Sequence, residues 1–369
     1  MSGISGVDNA AALEAKKKLS ANFLRKGITI ALFSGVMYGF YSAFLTMGMS
    51  KGIWEDWYGK NTAGLTVLAI TYLLGALGSA VNDTCSAVWA ILYAAIRGKL
   101  GDFFRCLKTK PGKMMILAAL IGGPIAGTAY VVGLQMAGSL VIPITALCPA
   151  IGAILGRVLY KQELNKRMML GIAICVTASF MIGSTSLGGD APEGAFLGIC
   201  IAFIAALGWG FEGCVAGYGT SMIDSEIGIT IRQVTSGISN LLILTPIFGM
   251  VFAGGIGNTF NIVSQAFTSG PAMIWFGLGG LCAFISFMSW YKGNSMCGAA
   301  LGMACNGTYS FWGPLCCWIV LGVFGGMEGW EVPTIVWIAA ILMIFGILTI
   351  AMNPIDLFKK KGAEDIETA

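Results

Sequence analysis

Three ionisable side chains stand inside long apolar runs of this sequence, and their chemistry asks for an explanation first. Asp83 lies near the centre of one run, Glu212 in the second half of another, and Arg232 about one turn into the next. A charge held in hydrocarbon costs on the order of 3 kcal/mol on insertion scales, so each should face protein or a watery cavity. Two readings are open. The carboxylates meet a solute or an ion, or Arg232 neutralises one of them as a structural pair; Arg232 can also reach the nearer membrane surface along its own stem.

Aromatic spacing sharpens the first reading. Trp209 and Glu212 are three residues apart, as are Asn306 and Tyr309, so each pair shares a helical face. Ring faces attract ammonium groups, by about 2 kcal/mol or more in a desolvated site. With Tyr38 and Tyr41 on a common cavity, the candidate solute contacts are Tyr38, Tyr41, Asp83, Trp209, Glu212, Asn306 and Tyr309, and the solute carries an amine or quaternary ammonium. Rings that merely fill the core or the membrane interface are the competing explanation. Glu212 and Arg232 are the candidates for coupling or an ion pair: a buried carboxylate can exchange a proton for a cationic solute, a scheme that needs no histidine.

These residues must be positioned by membrane helices. Hydrophobic residues make up 56% of the 369 and charged ones 11%, against about 25% charged in an ordinary soluble domain. The mean hydropathy of +0.80 makes lipid the natural solvent for most side chains. Ten apolar segments suffice to cross a core about 30 Å thick: 27–50, 63–96, 114–134, 138–160, 167–187, 194–219, 228–254, 271–291, 296–325 and 332–353. Within the second, Asn82-Asp83-Thr84 interrupts the run, leaving one long tilted helix or a broken one.

Basic residues set the orientation. Lys16, Lys17, Lys18, Arg25 and Lys26 precede the first segment and Lys359, Lys360 and Lys361 follow the last, so both termini are expected in the cytoplasm. Arg97 to Lys113 and Arg157 to Arg167 add charge to that side, whereas Lys51 and Lys60 fall opposite. The net charge of +4 is thereby spent on topology and gives no reason to expect nucleic acid. Gly98 to Pro111 reads as either a solvated loop or an amphipathic stretch on the inner leaflet. Met1 to Ser20 is polar and carries no signal-peptide pattern. The eleven cysteines sit mostly in apolar runs and read as small buried hydrophobes. With no histidine and no Cys-x-x-Cys pair, neither a metal centre nor a cofactor is expected. Asn306-Gly307-Thr308 fits a glycosylation acceptor only formally, being inside an apolar run.

An internal repeat follows from self-comparison. Pro149 precedes Glu163 by fourteen residues and Pro314 precedes Glu328 by the same interval, and Tyr38-Gly39-Phe40-Tyr41 resembles Trp209-Gly210-Phe211-Glu212. Two halves of five helices each must enter the membrane from opposite sides, an inverted repeat. The expected division is a tail at 1–26, a first repeat at 27–187, a linker at 188–193, a second repeat at 194–353 and a tail at 354–369.

Ala129-Tyr130-Val131-Val132-Gly133-Leu134-Gln135, Ile144-Thr145-Ala146-Leu147-Cys148-Pro149 and Leu159-Tyr160-Lys161-Gln162-Glu163-Leu164 together resemble the third-to-fifth-helix signature of the drug/metabolite transporter superfamily, EamA-like branch. The second half departs from that pattern around Asn294 to Gly298. The resemblance implies an all-α membrane protein of ten helices with a central cavity between its halves, carrying solutes that range from amino acids to sugars and organic cations. A secondary transporter in the cell membrane is therefore the expectation, working by alternating access as a monomer or homodimer on a small amine-bearing solute. A sugar or nucleoside carrier is the runner-up; an intramembrane enzyme using Asp83 and Glu212, or a channel, stands further off. Direct use of ATP is not expected, because no Walker glycine loop is present.

Overall fold

A computed structural model describes residues 4–161, 165–185, 194–220, 222–297 and 299–351. Among them the secondary structure is helical throughout. In chain order the helices are α1 (Ile4–Gly48), α2 (Ile53–Lys60), α3 (Leu74–Ile96), α4 (Leu100–Cys106), α5 (Lys110–Leu120), α6 (Thr128–Ala137), α7 (Val141–Thr145), α8 (Cys148–Tyr160) and α9 (Lys166–Thr185). The second part holds α10 (Ala195–Thr220), α11 (Ser225–Ser239), α12 (Thr245–Phe252), α13 (Ile256–Thr268), α14 (Gly270–Cys297), α15 (Ala299–Asn306), α16 (Tyr309–Cys317) and α17 (Thr334–Ala351). Among the described residues seven stretches are long and apolar enough to cross a membrane: 22–48, 110–145, 195–216, 225–252, 270–297, 301–324 and 334–351. Their outer faces carry bare apolar side chains such as Phe203, Leu242, Ile274 and Val323, which is the surface a lipid-solvated bundle presents.

Several boundaries differ from those the sequence suggests. The chain is already helical at Ile4, so the basic N-terminal residues ride on the same helix as the first apolar segment. Asn82-Asp83-Thr84 does not break the second segment; α3 runs straight through it, and the irregularity is a π turn at Ala69–Leu73. Further π turns join α5 to α6 (Ile121–Gly127), join α11 to α12 (Asn240–Leu244) and follow α16 (Trp318–Phe324). The ninth segment is parted at Gly307-Thr308, and α7 is parted from α8 at Ala146-Leu147. Part of Gly98 to Pro111 forms the short α4, while α2 and α13 are helices in stretches read as loops. Glu163, the expected linker at 188–193 and Lys359 to Lys361 lie outside the described residues.

Local chemistry explains the ends. Thr109 caps α5 by accepting from Gly112 N at 3.2 Å, with Pro111 pre-set for the first turn. Asp224 caps α11 by accepting from Glu226 N at 2.8 Å. In the third segment Pro124 supplies no amide, and the chain widens there to a π turn with i→i+5 bonds.

The packing is ordered. α1 lies along α14 and also against α16; α10 lies along α6 and also against α8. α3 pairs with α11, α3 also touches α14, α11 also touches α5, and α9 pairs with α17. The arrangement places α1, α3, α6, α10, α11 and α16 around one buried centre.

Candidate functional site

Five rings fill that centre. Tyr38 of α1 stacks on Tyr309 of α16 with centroids 4.2 Å apart, and meets Tyr41, Tyr130 and Trp209 edge-on at 5.2, 5.7 and 5.9 Å. Tyr130 of α6 closes the group, 5.2 Å from Trp209 and 6.1 Å from Tyr41. All five are buried. Two of their polar edges are tied: Tyr130 shares a hydrogen bond of 2.5 Å with Ser42, and Trp209 Nε1 donates to the Gly122 carbonyl at 2.8 Å. The Tyr309 hydroxyl lies 3.7 Å from Cys148 Sγ.

One turn beyond Trp209, Glu212 forms a fully buried ion pair. Arg232 Nε donates to Oε1 at 2.8 Å and Nη2 to Oε2 at 3.3 Å, while the Tyr291 hydroxyl donates to Oε1 at 3.1 Å. Arg232 also donates from Nη1 to Gln233 Oε1 at 2.7 Å and from Nη2 to the Gly122 carbonyl at 3.4 Å, and its guanidinium sits 3.8 Å over the Phe287 ring. It does not reach a surface: 2% of Arg232 is exposed and none of Glu212. The pair needs Gly122, because a Cβ there would run into the Glu212 carboxylate, just as one at Gly123 would run into Ser236. The Gly122 carbonyl thus accepts from Trp209 and Arg232 together and joins rings to ions.

Asp83 has neutral partners. Ser236 donates to its Oδ2, as does Asn240 Nδ2 at 2.7 Å; Asn240 in turn touches Ser79 Oγ at 3.3 Å and accepts from Thr128 at 3.2 Å. These contacts keep the Asp83 side chain satisfied without disturbing its helix, which is why α3 is unbroken there.

Of the sequence candidates, Tyr38, Tyr41, Trp209 and Tyr309 come together, Glu212 pairs with Arg232, and Asp83 lies across the same α11 face that carries Arg232. Asn306 does not join them: its amide donates to Ser34 of α1 at 2.8 Å, tying α15 to α1. Sequence reasoning passed over Tyr130, Tyr291, Ser79, Gln233, Ser236 and Asn240. The signal was present as polar stripes at helical spacing, Ser79, Asp83 and Ser86 on α3 meeting Gln233 and Ser236 on α11 and Asn240 just after it.

Two latches flank the centre. At one end Lys99 contacts Asp224 Oδ2 and Glu226 Oε2, each at 2.8 Å, and Tyr93 donates to Glu226 at 3.2 Å. Partial burial works against the Asp224 charge, but the Lys99 ammonium outweighs it and holds the carboxyl below its ordinary range. Burial likewise opposes the Lys99 charge, and the two carboxylates outweigh it and hold the ammonium above its ordinary range. At the other end Trp54 packs on Trp57 and on Phe276, both at 5.3 Å, and Ile53 N donates to Ser269 Oγ at 3.2 Å. Gly52 makes that approach possible with φ 60°, where a side chain would be strained and would strike Ser269.

No family model matches the chain, and no curated protein does. Fifteen chains of solved structures match it, among them one described only as a crystal structure of a protein, 16% identical, covering 88% of this chain and 94% of that one, with a TM-score of 0.49. The chemistry of the site therefore rests on its own residues.

Proposed function

We propose that the chain is a secondary transporter of the drug/metabolite transporter kind, moving a small amine-bearing or cationic solute across the cell membrane by alternating access. The observation that carries this reading is the buried ring cluster: Tyr38, Tyr41 and Tyr130 come from the first half of the chain, Trp209 and Tyr309 from the second. A site shared between two halves changes its exposure when they rock, which is the requirement of alternating access. Ring faces near Asp83, whose side-chain hydrogen bonds come from the neutral Ser236 and Asn240, favour a positive solute over a neutral one.

Ten spans and an inverted repeat accord with the packing. α3, α8 and α9 bring the seven long apolar stretches to ten. Exchanging the first five segments for the last five turns the pair α1–α14 into α10–α6, α1–α16 into α10–α8 and α3–α14 into α11–α5, and returns α3–α11 and α9–α17 to themselves. Segment ends meet as alternate crossings require: Lys99 meets Asp224, Ile53 meets Ser269, and Arg167 Nη2 donates to the Ile350 carbonyl at 3.4 Å. The basic loops favour a cytoplasmic Lys99 end, on the same side as both termini.

Counterflow in proteoliposomes tests the proposal, with labelled quaternary ammonium compounds set against sugars and nucleosides. Saturable exchange of the cationic solutes that fails in Trp209→Ala is the expected result. Exchange of neutral sugars or nucleosides alone, or flux that does not saturate, would overturn it.

A further inference from the structure

The corner between α4 and α5 is tightly built. Thr109 Oγ1 donates to the Cys106 carbonyl at 2.7 Å and accepts from Gly112 N at 3.2 Å, and a Cβ at Gly112 would run into that same carbonyl. Three lysines stand on this corner, Lys108 on its bend and Lys110 and Lys113 on the first turn of α5. All three are exposed, and among the described residues none of them has a carboxylate within ion-pair distance. Their neighbours are engaged: Lys99 with Asp224 and Glu226, Arg105 with Asp102.

Below the lysines runs a bare apolar strip. Lys110, Lys113, Leu117 and Leu120 recur at intervals of three and four, so they share one face of α5. That face is open along its length, with Leu117 50% and Leu120 36% exposed, while Met115, Ala118 and Ala119 are buried in the bundle. At a rise of about 1.5 Å per residue the two leucines lie about 6 and 10 Å from Lys113, toward the centre of the apolar stretch that α5 begins. The topology of the chain asks for basic residues at this end of the bundle. It does not ask for three of them unpaired on one rigid corner, above an exposed leucine stripe.

We infer that this corner and stripe bind an anionic phospholipid, its phosphate among Lys108, Lys110 and Lys113 and an acyl chain along Leu117 and Leu120. Clustered basic residues at the end of a membrane helix attract acidic headgroups, and leucines on the same face give the attached chain its place. A free phosphate would use the lysines and leave the leucines idle. The site is separate from the ring cluster and stands whether or not the chain carries a solute.

Equilibrium binding of radiolabelled phosphatidylglycerol to the full chain, purified in a neutral detergent, tests the site. Wild type is expected to bind the lipid saturably, more weakly as salt is raised, and without competition from phosphatidylcholine. Each lysine at an acidic lipid surface contributes about a factor of five, so Lys108→Gln, Lys110→Gln and Lys113→Gln together are expected to weaken binding on the order of a hundredfold. These side chains are exposed, so the triple variant without lipid is expected to melt with wild type. Leu117→Asn, with every lysine kept, is expected to weaken binding as well. Equal competition by phosphatidylcholine would reduce the lipid to ordinary solvent, wild-type affinity in the triple variant would move the headgroup elsewhere, and full competition by soluble glycerol phosphate would make the ligand a free anion; each of these overturns the site.

Discussion

Arg232→Met strips a guanidinium from a site where every arm of it is engaged. Glu212 loses its fork of 2.8 and 3.3 Å and retains the Tyr291 hydroxyl at 3.1 Å, leaving a carboxylate with no exposed surface and no counter-charge. Stranding a buried charge in this way costs about 3–5 kcal/mol. With an unfolding entropy near 2.1 cal/mol/K per residue, a chain of 369 residues would melt about 4–6 °C lower. Adding Glu212→Gln removes the stranded charge while keeping the shape and the Tyr291 contact, so the double variant should recover most of the loss. Thermal unfolding of the four proteins of this double-mutant cycle, in one detergent, supplies the test. If Arg232→Met melts within a degree of wild type, or if the two substitutions simply add, the pair is not the closed unit described above.

Gly122→Ala should be severe, because its methyl meets the Glu212 carboxylate and the backbone cannot retreat while its carbonyl holds Trp209 and Arg232; Gly277→Ala, with open space at its Cβ, is the matched control, and both are read by yield and melting temperature. Tyr309→Phe should keep transport of a cationic solute, since the stacked face on Tyr38 survives, whereas Tyr309→Ala should raise KM at least tenfold in the counterflow assay. The latch at Lys99 should loosen at both extremes of pH. Asp224 has its carboxyl held below the ordinary 3.8, so its contribution is complete above that value and is lost as acid takes the pH through the folded-state pKa; Lys99 is held above 10.5, so its contribution is complete below that value and is lost in stronger base. Proteolysis of the loop around Lys99 should therefore be slowest between those limits and faster throughout in Lys99→Met.

Charge inside apolar runs was the legible part of the site, because Asp83, Glu212 and Arg232 are conspicuous there whatever the fold. Their partners were harder to see. Ser236 and Asn240 are ordinary polar residues until α11 is laid against α3, and Tyr291 matters only because α14 brings it to Glu212. The segments themselves were readable from hydropathy, whereas the π turns were not: a widened turn at Gly122-Gly123-Pro124 is worth its cost only because side chains from α10 and α11 claim the space and the carbonyl. The same tertiary compensation kept α3 whole at Asn82-Asp83-Thr84, where local propensity argued for a break. α2 and α13 escaped notice because short helices between spans lack the long apolar run that announces a crossing.

The π turn at Ile121–Gly127 makes one peptide unit a common dependency. Its wider i→i+5 ladder accommodates Pro124, which has no amide to leave stranded. The Gly122 carbonyl within it accepts from Trp209 Nε1 at 2.8 Å and from Arg232 Nη2 at 3.4 Å. Whatever displaces that single peptide therefore reaches the rings and the ion pair together.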